Sequence, residues 1–177
     1  TVLNAGHNLV IESKTNVNNA KGPATLSADG RTMINDATIQ AGSSVYSSTK
    51  GDTELGGNTR IIAENVTVLS NGSISSAAVI EAQDTAHIES GKPLSLETST
   101  VASNIRLNNG NIKGGKQVVL MADGDIQAKA SNLNASGNLY IHAGKDLDLN
   151  ADKDLSTQIN TKYQPEGRQH RPHQQQR

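Results

Sequence analysis

Leu133-Asn134-Ala135-Ser136-Gly137-Asn138-Leu139-Tyr140-Ile141 repeats, near the other end of the chain, the pattern of Leu3-Asn4-Ala5-Gly6-His7-Asn8-Leu9-Val10-Ile11. In both stretches an aliphatic anchor is followed six positions later by a second aliphatic, and a third stands two positions beyond it. The spacing returns about every 19 residues, from anchors at Leu3, Ala20, Ile39, Leu55, Ile74, Leu94, Ile112 and Leu133. Six positions after them come Leu9, Leu26, Val45, Ile61, Ile80, Thr100, Val118 and Leu139, and seven of these eight are large aliphatics. A chain that is 34% hydrophobic would place about three there by chance. Self-similarity at such a period means stacked coils rather than one rounded core.

Within each unit the local period is two, as in Leu94/Leu96, Val118/Leu120 and Leu147/Leu149. That alternation sends one side chain inward and the next outward along a strand. Between the strands lie Asp29-Gly30, Asn71-Gly72, Asn109-Gly110, Gly114-Gly115 and Asp123-Gly124. These residue types accept positive φ or bond their own backbone, so they turn the chain. Apolar spacing of three and four is sustained nowhere, which disfavours helix. Three short strands and three turns per unit predict an all-β, right-handed parallel β-helix, a solenoid of about eight coils of ~19 residues. The 18 Asn residues suit stacked ladders at its corners. Leu9, Ile11, Val45, Ile61, Ile80, Val118, Leu139 and Ile141 are the expected inward residues.

Composition agrees with a narrow core. Phe, Trp and Cys are absent, and Tyr46, Tyr140 and Tyr163 are the only aromatic residues. Large rings would not fit beside their copies in the coils above and below, whereas Leu, Ile, Val and Ala would. Without cysteine there are no disulfides and no thiolate metal sites. The net charge of -1 gives no overall steering toward nucleic acid or an acidic membrane. No apolar run approaches the ~18 residues of a membrane span. The chain begins at Thr1 without Met, so an excised or processed fragment is expected, with any export signal outside it. Residues 1–160 read as the β-helical repeat domain. Residues 161–177 are polar, basic and broken by Pro165 and Pro172, the composition of a disordered tail or linker.

The units from Asn134 to Leu149 and from Leu3 to Ile11 resemble filamentous haemagglutinin repeats, in their A-x-G-x-L-x-I-x-A and D-L-x-L-x-A elements. The resemblance spans roughly residues 1 to 160. It implies the shaft of a large Gram-negative exoprotein of the two-partner secretion route. That family includes filamentous haemagglutinin-like adhesins and contact-dependent growth-inhibition toxins. By implication the protein is secreted and held at the bacterial cell surface, with virulence or contact inhibition as the setting. Its partners would be a host or neighbouring-cell surface, protein or glycan, and the outer-membrane transporter that exports it. The stretch resembles neither the family's secretion domain nor a toxin, and the family assigns its repeats no catalytic residues.

From the residues themselves no enzyme, cofactor or metal is expected. A carbohydrate-active β-helix would need converging carboxylates and long projecting loops. The run Asp146, Asp148, Asp152 and Asp154 lacks the nonapeptides of calcium-binding β-rolls and reads as a solvated face. His7, His87 and His142 stand at different offsets and are expected to be exposed. One column carries more interest, seven positions after each anchor. It holds Val10, Ser27, Tyr46, Ile62, Glu81, Val101, Val119 and Tyr140, outward by alternation, yet six of the eight are β-branched or aromatic, Val10, Tyr46, Ile62, Val119 and Tyr140 among them. β-Propensity alone accounts for such residues on a solvated sheet. The sharper expectation is a partner-binding stripe on the outer faces. A structural or adhesive shaft segment is therefore the leading reading. The alternative is a glycan- or receptor-binding module, and the third class a carbohydrate-active enzyme.

Overall fold

The computed structural model describes residues 1–94, 102–150 and 158–163. They form a parallel β-helix of seven coils, each contributing one strand to a seven-stranded parallel sheet. After β1 (Val2–Ala5), the first full coil holds β2 (Leu9–Ile11), β3 (Asn16–Asn19) and β4 (Ala24–Ala28). The second holds β5 (Thr32–Ile34), β6 (Thr38–Ala41) and β7 (Ser44–Thr49). β8 (Thr53–Leu55) and the long β9 (Arg60–Ser70) make the third, β10 (Ile74–Ser76) and β11 (Val79–Ser90) the fourth. The fifth contains β12 (Ile105–Asn108), β13 (Asn111–Gly114) and β14 (Gln117–Ala122). β15 (Ile126–Lys129) and β16 (Asn132–Ala143) form the sixth, β17 (Leu147–Asn150) and β18 (Gln158–Tyr163) the seventh.

Three faces result. Face 1 is the sheet β2-β5-β8-β10-β12-β15-β17. Face 2 carries β3, β6, the first halves of β9, β11 and β16, and β13, while face 3 carries β1, β4, β7, the second halves of those long strands, and β14. Faces 2 and 3 merge into one eleven-stranded sheet because β9, β11 and β16 run unbroken through the corner between them. At about 4.8 Å per strand step, the seven coils rise about 30 Å.

The fold class follows the sequence, but the period does not. Partners on face 1 keep one constant separation through Thr32↔Thr53↔Ile74 and again through Ile105↔Ile126↔Leu147, and it is slightly longer than the sequence period. The step Ile74↔Ile105 is half as long again. The chain therefore winds seven coils rather than eight. The surplus sits at one corner. From the last inward residue of face 3 to the first of face 1, four steps suffice in Thr49–Thr53, Ser70–Ile74 and Ala122–Ile126. Between Ser90 and Ile105 there are fifteen. Leu94, counted above as the anchor of a coil, is 40% exposed within this insertion. Thr100 and Val101 lie outside the described residues.

Inward side chains stack coil upon coil. One column on face 2 reads Val17, Ile39, Ile61, Ile80, Ile112 and Leu133. On face 3 another reads Leu3, Leu26, Ser47, Val68, Ile88, Leu120 and Ile141. Near the corner with face 1 only small residues fit: Ala28, Thr49, Ser70, Ser90 and Ala122. Of the expected inward residues, Ile11, Val45, Ile61, Ile80, Val118, Leu139 and Ile141 are buried, and Leu9 packs half-buried against the core at the first coil.

The turn into face 1 explains its Gly and Asn. The amide of Gly51 donates to Gly30 O at 2.8 Å, and that of Gly72 to Gly51 O at 3.0 Å. A Cβ on Gly51 would stand 2.6 Å from Gly30 O, so the close backbone stack demands glycine. In most of these turns the next residue builds a corner ladder, of mixed Asn, Asp and Ser rather than of stacked Asn, in which a side-chain oxygen accepts from the amide one coil on. Asn8 Oδ1 accepts from Arg31 N (2.9 Å), Asp52 Oδ1 from Ser73 N (2.8 Å) and Ser73 Oγ from Asn104 N (3.0 Å). Asn104 Oδ1 then accepts from Asp125 N (2.8 Å), and Asp125 Oδ1 from Asp146 N (3.0 Å). These bonds occupy turn amides that have no partner within their own turn.

β18 ends at Tyr163, within the stretch expected to be a tail. The rest of that tail, 164–177, lies outside the described residues.

Candidate functional surfaces

Because strands run in register, each outward position becomes a column along the rod. Three members of the expected stripe share one. On face 3, Tyr46 pairs with Thr67, Thr67 with His87, His87 with Val119, and Val119 with Tyr140. Tyr46 is 37% exposed, Tyr140 half-buried, and Val119 only 6% exposed between His87 and Tyr140. The neighbouring column adds Leu69, Glu89, Met121 and His142, all half-buried. Val10 and Ile62 stand elsewhere. Val10, 52% exposed, is outward on face 1, and Ile62 is outward on face 2 between Gln40 and Glu81.

The histidines divide likewise. His7 is exposed, whereas His87 and His142 are half-buried on face 3, with His87 Nε2 3.7 Å from Glu89 Oε2. Asp146 and Asp148 are both exposed, the first in the corner ladder and the second outward on face 1. Asp152 and Asp154 lie outside the described residues. Among the described residues no group of His, Asp and Glu is placed to hold a metal ion, and no helix is long and apolar enough to cross a membrane.

Face 1 carries a feature that the sequence reading missed. Glu54, Ser75 and Arg106 are successive outward residues, on β8, β10 and β12. Beside them run Asp52, Ser73 and Asn104 of the corner ladder. The two serines are short, so a groove of about 290 Å³ opens over them, with carboxylates at one end and donors at the other. Arg31 closes the acidic end, its guanidinium 3.7 Å from Glu54 Oε2. Arg106 makes no ion pair among the described residues. The insertion falls between Ser75 and Arg106 in the chain and hides their adjacency from any search at a fixed period. Aligning on the turns (Asp52-Thr53, Ser73-Ile74, Asn104-Ile105) would have exposed it.

Comparison with known proteins gives one family. Residues 95–170 match the family described as Hemagglutinin repeat. No curated protein and no solved structure matches the chain. The matched stretch contains the Asn134–Leu149 unit and, where described, β12 to β18, so the repeat corresponds to coils five to seven of the rod. Residues 95–170 thus carry a haemagglutinin repeat, the family model reaching over less than half of the chain.

Proposed function

We propose that this chain is a non-catalytic segment of the shaft of a secreted, surface-held Gram-negative exoprotein. One observation carries that reading: seven coils hydrogen-bond along a single axis over an aliphatic stack, in a chain that bears the haemagglutinin repeat. Each coil contacts only its neighbours, so stiffness and length come from repetition and need no cofactor. The shaft would leave through the outer-membrane transporter of the two-partner route. It would then hold an adhesive or toxic module toward a host or neighbouring cell. Removing residues 53–73 from the full exoprotein tests this, because Ile74 then takes the place of its register partner Thr53. A spacer one coil shorter should still be displayed and still adhere. Normal display with lost adhesion would show that this segment is itself the binding module.

A second reading rests on face 3. The column Tyr46–Thr67–His87–Val119–Tyr140, flanked by Leu69 and Met121, suits a receptor or a second fibre. Tyr140→Lys should weaken such association and leave the circular dichroism spectrum unchanged. Val10→Lys and Ile62→Lys, on the other faces, serve as comparisons; equal association by all three variants would remove the column from consideration.

A further inference from the structure

The groove on face 1 is graded in its chemistry along the axis of the rod. The Glu54 row and the Arg106 row are two strand steps apart, about 9.6 Å between backbones. The ladder fixes the orientation of its polar groups. Asp52 commits Oδ1 to Ser73 N, which leaves Oδ2 as an acceptor. Ser73 Oγ accepts from Asn104 N, so its own hydroxyl proton can be donated. Asn104 commits Oδ1 to Asp125 N and keeps its amide protons for a ligand. The floor therefore runs from acceptors (Asp52, Glu54) through hydroxyls (Ser73, Ser75) to donors (Asn104, Arg106).

The two carboxylates balance Arg31 and Arg106, so the groove has no net charge to offer a polyanion. A phosphate or sulfate ester would meet Asp52 and Glu54 across the serines. A ligand with one anionic group and, a ring's width away, groups that donate hydrogen bonds meets neither repulsion nor unpaired donors. A guanidinium grips a carboxylate through paired N–H bonds, and carboxylates accept well from sugar hydroxyls. The volume suits one pyranose ring and lies at the small end of ligand sites. We infer that this groove binds a hexuronic acid residue, its carboxylate on Arg106 and Asn104 and its ring hydroxyls on Asp52 and Glu54. The site stands whether or not the rod serves as a spacer.

With no aromatic platform and an open mouth, a single residue should bind with a dissociation constant on the order of 1 mM. The test is an amide-resolved NMR titration of the whole chain with sodium glucuronate, glucuronate methyl ester, glucose and sodium acetate. Glucuronate should shift the amides of Ser73, Ser75, Asn104 and Arg106 saturably. The ester, glucose and acetate should each bind at least tenfold more weakly, since each lacks one half of the match. Arg106→Gln should weaken glucuronate at least tenfold, and Glu54→Gln should do so less, both with unchanged melting temperature. Acetate binding as well as glucuronate would overturn the sugar assignment. Absence of saturable shifts on face 1 would overturn the site.

Discussion

The corner that leads from face 3 into face 1 is built in two ways within one molecule. Between the second and third coils, Lys50-Gly51-Asp52 crosses it from Thr49 to Thr53. After Ser90 the same crossing takes eleven residues more, yet the strands on either side resume their stack. Ser90 lies beside Ala122, and Ile74 beside Ile105. The corner is also stitched to the coils on both sides: Ser103 Oγ donates to Asn71 O (2.9 Å) and Ser73 Oγ accepts from Asn104 N (3.0 Å) on one, and Asp123 Oδ1 accepts from Ser103 N (2.6 Å) on the other. Register in this rod is therefore set by contacts between coils. The length of chain used at a corner matters little.

If that is right, the core on either side of the insertion should be as well knit as elsewhere. Ile105 and Ile126 are both fully buried in the same face-1 column. Ile105→Ala should destabilise by about 2–5 kcal/mol, as a large-to-small change does where the site cannot collapse. Ile126→Ala, one coil farther from the insertion, should cost a similar amount. Urea unfolding of both variants checks it. A much smaller loss at Ile105 would mean that the insertion loosens the stack beneath it.

The tight version of the corner is the more demanding of the two. Gly51→Ala would put a methyl group 2.6 Å from Gly30 O, a backbone atom fixed by its own ladder. Relief requires the coils to part there, at about 1–3 kcal/mol. Gly57 has nothing within 4 Å of a would-be Cβ, so Gly57→Ala is the matched comparison and should be far milder. Equal melting temperatures for the two variants would break the claim that the corner is held by close backbone contact.

These corners also explain what the sequence disclosed. The alternation of inward and outward residues and the Asn-Gly turns obey local rules, so the parallel β-helix and seven of its buried aliphatics were legible. The period was not, because those local rules are the same on every face. Leu3 lies on face 3 and Leu9 on face 1, whereas Leu133 lies on face 2 and Leu139 on face 3. The two stretches that look alike are one face out of step. Asn8-Leu9-Val10-Ile11 has its structural counterpart in Asp146-Leu147-Asp148-Leu149, at the far end of the face-1 sheet. An eye that slides between faces finds anchors at uneven intervals, and the surplus of the long corner then passes for an irregular coil. The same slippage placed Val10 and Ile62 in a stripe with Tyr46, Val119 and Tyr140, and it kept Ser75 apart from Arg106.

Deleting residues 92–102 puts the comparison at its sharpest. The junction becomes Ser90-Gly91-Ser103-Asn104-Ile105, four steps from Ser90 to Ile105, as in Ser70-Asn71-Gly72-Ser73-Ile74. Asn104 keeps its place in the ladder, and every inward residue of the described strands is kept. Closing a loop of about four residues instead of about fifteen recovers only ~1 kcal/mol of chain entropy, since that entropy grows with the logarithm of length. The shortened chain should therefore melt at the parent temperature or slightly above it, with the same cooperative unfolding and the same far-ultraviolet spectrum. A clear drop in melting temperature would show the extra residues to be part of the support of the rod, and coil contacts alone would no longer account for its register.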